Sequence, residues 1–233
     1  MPKVQSYNDM TVELMNATPY PAEVVGLALS ITMNSDASKD IKPLTFKTAK
    51  FLIEAEHTSL LEHVVYTFLI QGVSRSFLAQ ITRQRTASPT SGSQHYQDYR
   101  NYPCAVHPDL VSFPRADEDR SQQLTRIGLD NDFSIYTDLI SEGVKPQEAR
   151  QVLPNAACVN YLWTIDARNL LFFLRQRCCN RNVDEMRIFA DKALVLSQEH
   201  FSEVFLHAGP QCFMDKKCKQ GFLQCDQKNW ERI

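Results

Sequence analysis

Two short runs constrain the fold most. Val64 to Val73 and Cys158 to Ile165 are dense in β-branched and aromatic residues, and each reads as a strand. Helical stretches surround them. Val24 to Ile31 reads as a short helix. Pro43 to His57 reads as a longer one, with Pro43 near its start and an apolar stripe through Phe46, Ala49, Phe51, Leu52 and Ala55. Ser74 offers a side-chain oxygen to cap a helix expected to run to about Arg85. Ser121 to Gly143, Lys145 to Leu153, Ala167 to Cys178 and Val183 to His207 are further helices, with Pro154 stopping the second. Thr86 to Ser93 holds Pro89 and Gly92 and reads as loop; Gln94 to Asn101 reads as either a strand or an extended lid. Pro108 to Asp119 reads as connection. No βαβ glycine fingerprint is present. The pattern predicts an α/β or α+β layer and not a dinucleotide-binding Rossmann domain.

A chain of 233 residues has room for a sizeable core. We expect one domain over 1–233. The formal net charge of -2 gives no basis for unspecific attraction to nucleic acid or anionic membrane, so neither is expected as a partner. The most apolar stretch, Leu162 to Leu174, is broken by Asp166 and Arg168, and no run approaches a membrane span. No apolar leader follows Met1. A cytoplasmic location is expected. Seven cysteines is an odd number, and reduced thiols are expected. Cys212, Cys218 and Cys225 lie near one another without a Cys-x-x-Cys pair, so no metal is expected.

Any phosphate site must therefore be a local concentration of arginine. Arg83-Gln84-Arg85 precedes a run of small hydroxyl residues, Ser88, Thr90, Ser91 and Ser93, with Gly92 among them. Guanidinium groups facing hydroxyls and open backbone N–H groups suit a phosphate. On a continuing helix the two arginines would point about 200° apart, which suggests two ligands or two parts of one. The plainer readings are solvated arginines in a last helical turn and a polar surface turn. Glu56-His57-Thr58-Ser59 with Glu62-His63 matches no metal spacing. Asp166 caps the following helix. Arg168 and Arg175 are seven apart and share a helical face, whereas Arg177 points elsewhere. Arg150 adds another cation near a strand–helix junction. Phosphate-loop and nucleophile-elbow motifs are absent.

In this order and spacing the segments resemble the flavin-dependent thymidylate synthase family. The matching pieces are Glu56-His57-Thr58-Ser59 with Glu62-His63, Gly72-Val73-Ser74-Arg75 followed by Gln80, and Arg-x-Arg with seven residues between Arg85 and Ser93. Ala149-Arg150, Asp166-Ala167-Arg168, Arg177-Cys178-Cys179-Asn180-Arg181 with Glu185 and Arg187, and Ala208-Gly209-Pro210 complete them. The resemblance implies a mixed or antiparallel central sheet packed with helices, and a homotetramer whose sites form at subunit junctions. It implies FAD as cofactor, NADPH as reductant and 5,10-methylenetetrahydrofolate as one-carbon donor. Position by position, His57, Ser59, Arg83, Gln84, Arg85, Asp166, Ala167, Arg168 and Phe172 would contact FAD. Gln80, Arg83, Ser91, Ser93, His95, Arg150 and Arg177 would hold the nucleotide. Arg177 would be the catalytic group, stabilising an ionised pyrimidine. No cysteine nucleophile is then required.

Relative to the family pattern, Gln84 replaces a His, Ser91 a Glu, His95 an Arg and Asp166 an Asn, and Phe172 stands where the family has Asn or His. Ser91 and His95 make the nucleotide pocket looser and its phosphate clamp weaker. The resulting expectation is C5-methylation of a uridine 5′-monophosphate, dUMP and also UMP. The alternatives are a UMP-directed methylase of nucleoside-antibiotic biosynthesis, and a flavin- or nucleotide-binding protein with weakened catalysis.

Overall fold

The computed structural model describes residues 2–33, 42–111 and 117–225. The elements in chain order are β1 (Val4–Ser6), β2 (Thr11–Ala17), α1 (Pro21–Met33), α2 (Phe46–Glu54), β3 (Val65–Ser74), α3 (Arg75–Ile81), β4 (Ser88–Ser91) and β5 (Cys104–Val106). They continue with α4 (Arg120–Ser141), α5 (Pro146–Ala149), β6 (Cys158–Asp166), α6 (Ala167–Arg177), α7 (Asp184–His200), α8 (Ser202–Phe205) and α9 (Gln211–Met214). The chain divides into two compact units. One comprises Met1–Thr11, Leu69–Arg83 and Pro89–Leu162; the other comprises Val12–Phe68, Gln84–Ser88 and Trp163–Ile233.

Four strands join in the order β2-β3-β6-β4, and β1 pairs with β5 in parallel. Hydrogen bonds at the two ends of each pair fix the direction of the longer strands. Thr18 N donates to the Val65 carbonyl at 3.0 Å, while Thr11 faces Gln71, so β2 and β3 are antiparallel. Ala167 N donates to the Val64 carbonyl at 2.7 Å and Arg75 N to the Ala157 carbonyl at 3.2 Å, so β3 and β6 are antiparallel too. The chain adopts the expected α+β class, with an antiparallel sheet packed by helices.

The unit of Val12–Phe68, Gln84–Ser88 and Trp163–Ile233 is built on an aromatic core. Alternation along β3 turns Tyr66 and Phe68 inward, and Trp163 does the same on β6; all three have no solvent exposure. Phe173 of α6 and Phe189 of α7 reach Trp163 with ring centroids at 4.9 and 5.6 Å. Such pairs add about 0.5–1.5 kcal/mol each beyond their buried area. In the other unit, α4 starts from a reciprocal cap between Asp119 and Gln122 and buries Leu129, Phe133 and Tyr136. The Tyr136 hydroxyl accepts the Tyr99 N–H at 3.2 Å.

Both convincing strands, and the helices α1, α4 and α6, lie where the sequence places them. Several boundaries differ. Thr45 caps α2 by accepting the Thr48 N–H at 3.2 Å, which leaves Pro43 outside the helix. That helix stops at Glu54, two residues before Glu56 adopts φ 59°. Ser74 does cap α3, with its Oγ accepting the Phe77 N–H at 3.1 Å. The helix ends at Ile81, however, and not near Arg85. Part of the expected loop is strand β4, an edge position that tolerates Pro89. Gln94 to Asn101 is neither strand nor extended: the Ser93 carbonyl accepts the N–H groups of Tyr96 and Gln97, which makes a turn. The helix expected from Val183 to His207 breaks at buried Phe201, with φ -140° and ψ 68°. The Pro108 to Asp119 connection holds a 3-10 turn, Pro108–Leu110, and its residues 112–116 lie outside the described residues. Among the described residues no helix is long and apolar enough to cross a membrane.

Candidate active site

Helix α6 organises the candidate site. Asp166 caps it: one carboxylate oxygen accepts the Asn169 N–H at 2.9 Å and the other the Asn169 side-chain amide at 2.6 Å. Ala167 is fully buried and its N–H is bound to Val64, so it fixes where the helix begins. Leu170, Phe173 and Leu174 then fill the core. The opposite stripe carries Arg168, Phe172 and Arg175 at positions i, i+4 and i+7, one above another. Phe172 is 54% exposed, unusual for an aromatic ring on a core helix.

This stripe lines a cleft of ≈ 650 Å³, together with Thr58, Glu62 and Thr86. Glu62, from the 3-10 turn Thr58–His63, accepts a hydrogen bond from Arg168 Nη1; both side chains are about half exposed. Arg175 Nη2 reaches both oxygens of Asp215, at 2.7 and 2.9 Å. Lys219 Nζ stands 2.7 Å from the same carboxylate, and Gln211 donates to it at 3.2 Å. Lys219 above all, with Gln211 and Arg175, holds the Asp215 carboxyl below the usual carboxylate range. Each guanidinium on the stripe is thus braced by a carboxylate from another segment. The cleft offers hydroxyls, an aromatic face, the carboxylates of Glu56 and Glu62 and two oriented cations, which can hold a flat ligand and reach an anionic group on it.

Other residues expected at the site are distributed as follows. His57 and Ser59 flank Thr58 in the same turn and are exposed. The Gln84 side-chain amide donates to Thr86 Oγ1 at 2.8 Å, tying it to a cleft residue. Arg85 is exposed beyond the end of α3, so helical geometry does not force it away from Arg83. Arg177 ends α6, half-buried, with Nη1 3.4 Å from Asn182 Oδ1. Burial lowers its pKa. Arg177 does not line the cleft.

Gln80, Arg83, Ser91, Ser93, His95 and Arg150 belong to the other unit. Gln80 is half-buried near the end of α3, and its carbonyl accepts the Arg83 N–H at 3.2 Å. Ser93 Oγ accepts the His95 N–H at 3.2 Å, and the His95 ring lies 4.3 Å from that of Tyr96. Ser91 closes β4, while Arg150 is exposed at the junction of α5 and a 3-10 turn. At Gly92 a Cβ would stand 2.9 Å from Gln97 Oε1, the far end of a side chain that can shift to make room.

Sequence reasoning did not assign roles to Thr58, Glu62, Thr86, Arg175 or Asp215. The seven-residue spacing of Arg168 and Arg175 was the signal for one of them. Asp215 had none, because its partner is 40 residues away. Arg175 also borders a smaller cavity of ≈ 240 Å³, which Cys179, Cys212, Cys218 and Cys225 share. Among the described residues no group of three or more His, Cys, Asp or Glu is placed to hold a metal ion.

The profile of the family described as thymidylate synthase complementing protein matches residues 13–201. A flavin-dependent thymidylate synthase of Geobacter sulfurreducens is 34% identical over 93% of this chain and 94% of its own length. This chain belongs to the flavin-dependent thymidylate synthase family. The corresponding enzyme of Clostridium tetani is 30% identical, with 92% of each chain covered. The family is one of methyltransferase enzymes. Among solved structures, the UMP/dUMP methylase PolB of Streptomyces cacaoi shares the fold, with a TM-score of 0.75 at 22% identity over 88% of this chain and 95% of that one. It has been seen with 5-Br dUMP and with 5-Br UMP. ThyX of Helicobacter pylori, seen with FAD and dUMP, has a TM-score of 0.65 at 20% identity, over 84% of this chain and 97% of its own.

Proposed function

We propose that this chain methylates C5 of a uridine 5′-monophosphate, taking dUMP and also UMP. The observation that carries the reading is the Arg168–Phe172–Arg175 stripe along a ≈ 650 Å³ cleft, in a chain of this family. An exposed ring between two braced guanidinium groups fits FAD, which is both flat and anionic. His57, Ser59, Arg83, Gln84, Arg85 and Asp166 would join Arg168 and Phe172 around it. Bound FAD, reduced by NADPH, supplies a hydride. The one-carbon unit comes from 5,10-methylenetetrahydrofolate, which leaves as tetrahydrofolate; C5 gives up its proton as the methyl group is completed.

The chain's own part is binding, orientation and charge stabilisation. Gln80, Arg83, Ser91, Ser93, His95 and Arg150 hold the nucleotide. Arg177 stabilises negative charge as it develops on the pyrimidine. Its half-burial suits that task, because a cation removed from water interacts more strongly with a developing anion. The protein works as a homotetramer, with subunits sharing each site, in the cytoplasm. Acceptance of UMP is supported by Ser91 and His95, smaller and weaker groups than the family's Glu and Arg.

The test is an anaerobic assay with FAD, NADPH, methylenetetrahydrofolate and either nucleotide, with products separated by chromatography. Methylated dUMP and UMP are expected. A yellow protein that methylates neither would be a flavin-binding protein and not this enzyme.

A further inference from the structure

The Arg168–Phe172–Arg175 stripe is uneven in charge. Arg168 is balanced by Glu62, and the lining near these residues in sequence adds a second carboxylate, Glu56, and the hydroxyls of Thr58 and Thr86, so no positive charge is in excess there. At the other, Arg175 and Lys219 share the single carboxylate of Asp215, leaving one positive charge in excess. Arg175 spends only Nη2 on that carboxylate. Among the described residues its Nη1 and Nε make no hydrogen bond, and its side chain is 31% exposed. The two arginines are seven residues apart on α6, or about 10 Å along the axis. Phe172 lies between them.

We infer that Arg175 is a further cofactor-binding residue, taking the diphosphate of the flavin, and that Asp215 is the positioning residue that aims it. This rests on the flavin reading proposed above. The electrostatic gradient sets the polarity of the ligand. The excess cation attracts the most anionic part, the diphosphate, while the Phe172 face and the Arg168–Glu62 end, which has no positive charge to spare, suit the uncharged ring system. Asp215 works by orientation. It holds one nitrogen of Arg175 and leaves two N–H-bearing nitrogens to reach phosphate oxygens. Lys219 keeps the pair from being neutral overall.

Binding affinities of three flavins separate this role from a merely structural one. FAD and FMN carry phosphate, and riboflavin has the same ring without it. Arg175→Ala is expected to weaken FAD and FMN by about tenfold to a hundredfold, the scale of a charge-assisted hydrogen bond, with riboflavin within twofold of the parent. Arg175→Lys should recover part of the loss. Asp215→Asn should show the same selective loss in smaller measure, and Asp215→Glu should restore most of it. Circular dichroism melting establishes that each variant is folded. Equal weakening of all three flavins, or unchanged FAD binding in Arg175→Ala, would overturn the assignment. A parent protein that binds none of the three would instead sink the flavin reading itself.

Discussion

Glu62 and Arg168 meet across 106 residues of chain, with a guanidinium nitrogen donating to the carboxylate at the edge of the cleft. Both side chains are half exposed, so their pairing contributes little to folding. Its consequence is directional: a long side chain is held over the cleft and not left to sample solvent. Glu62→Ala should therefore change the melting temperature by no more than a degree or two. It should weaken FAD by about fivefold, equivalent to about 1 kcal/mol. Glu62→Gln keeps an acceptor oxygen and should remain within twofold. Flavin-fluorescence titration beside a thermal melt checks both. A large stability loss with unchanged affinity would assign the pair to the fold.

Arg177 predicts a loss in turnover. If it stabilises charge that appears only as the reaction proceeds, Arg177→Ala should lower kcat by about 10²–10³. Asn182→Ala should reproduce part of this, because the Asn182 side chain contacts both the Arg177 guanidinium and its carbonyl. Steady-state kinetics with saturating cofactors provide the measurement. A raised KM at unchanged kcat would show that Arg177 binds substrate and transition state equally.

Sugar specificity tests Ser91 and His95. A pocket that only makes room for a hydroxyl discriminates weakly, whereas one that hydrogen-bonds it discriminates strongly. The ratio of kcat/KM for dUMP and UMP should thus lie within about tenfold in the parent. It should shift toward dUMP in Ser91→Glu and His95→Arg. Firm rejection of UMP by the parent would mean that these two residues do not set the preference.

His200 and Tyr66 make the stability of the aromatic core depend on pH. His200 Nδ1 lies 3.3 Å from the Tyr66 hydroxyl. Burial lowers the pKa of His200 below that of a solvated imidazole, outweighing a hydrogen bond to the Thr18 backbone that raises it. The folded state therefore keeps the ring neutral while the unfolded chain already binds a proton near pH 6.5. Stability is full above that pH and falls as acid drives the folded-state ring to charge. Urea midpoints measured from pH 7.5 down to pH 5 should decline in the parent and decline less in His200→Gln. Parallel slopes would exclude the residue as a source of the dependence.

How much of this was legible in the sequence differed by element. The strands β3 and β6 were readable because β-branched and aromatic residues crowd both buried faces. β1 and β5 were not, since three residues carry no period and their pairing depends on distant partners. β2 mixes polar and apolar side chains without a dense apolar run. The end of α3 carries neither Gly nor Pro. Thr82 follows it with its hydroxyl returned to the Leu78 carbonyl at 2.9 Å, a bond that also occurs inside helices, so nothing local in the sequence marks the stop. Phe201 looks like one more apolar helical residue, yet it is the break between α7 and α8. For the candidate site, family resemblance supplied the residues and helical spacing placed Arg168 beside Arg175. The brace at Asp215 emerges only when the tail folds back.

Strand β4 closes one side of the four-stranded sheet, and Pro89 sits within it. A border strand normally exposes a row of donors and acceptors on which another chain can template itself. Proline has no N–H, so the row is interrupted at that point. The sheet consequently has a built-in terminator there: the residues that carry the chain from Arg85 to Ser93 also discourage unwanted fibre-like growth from that border.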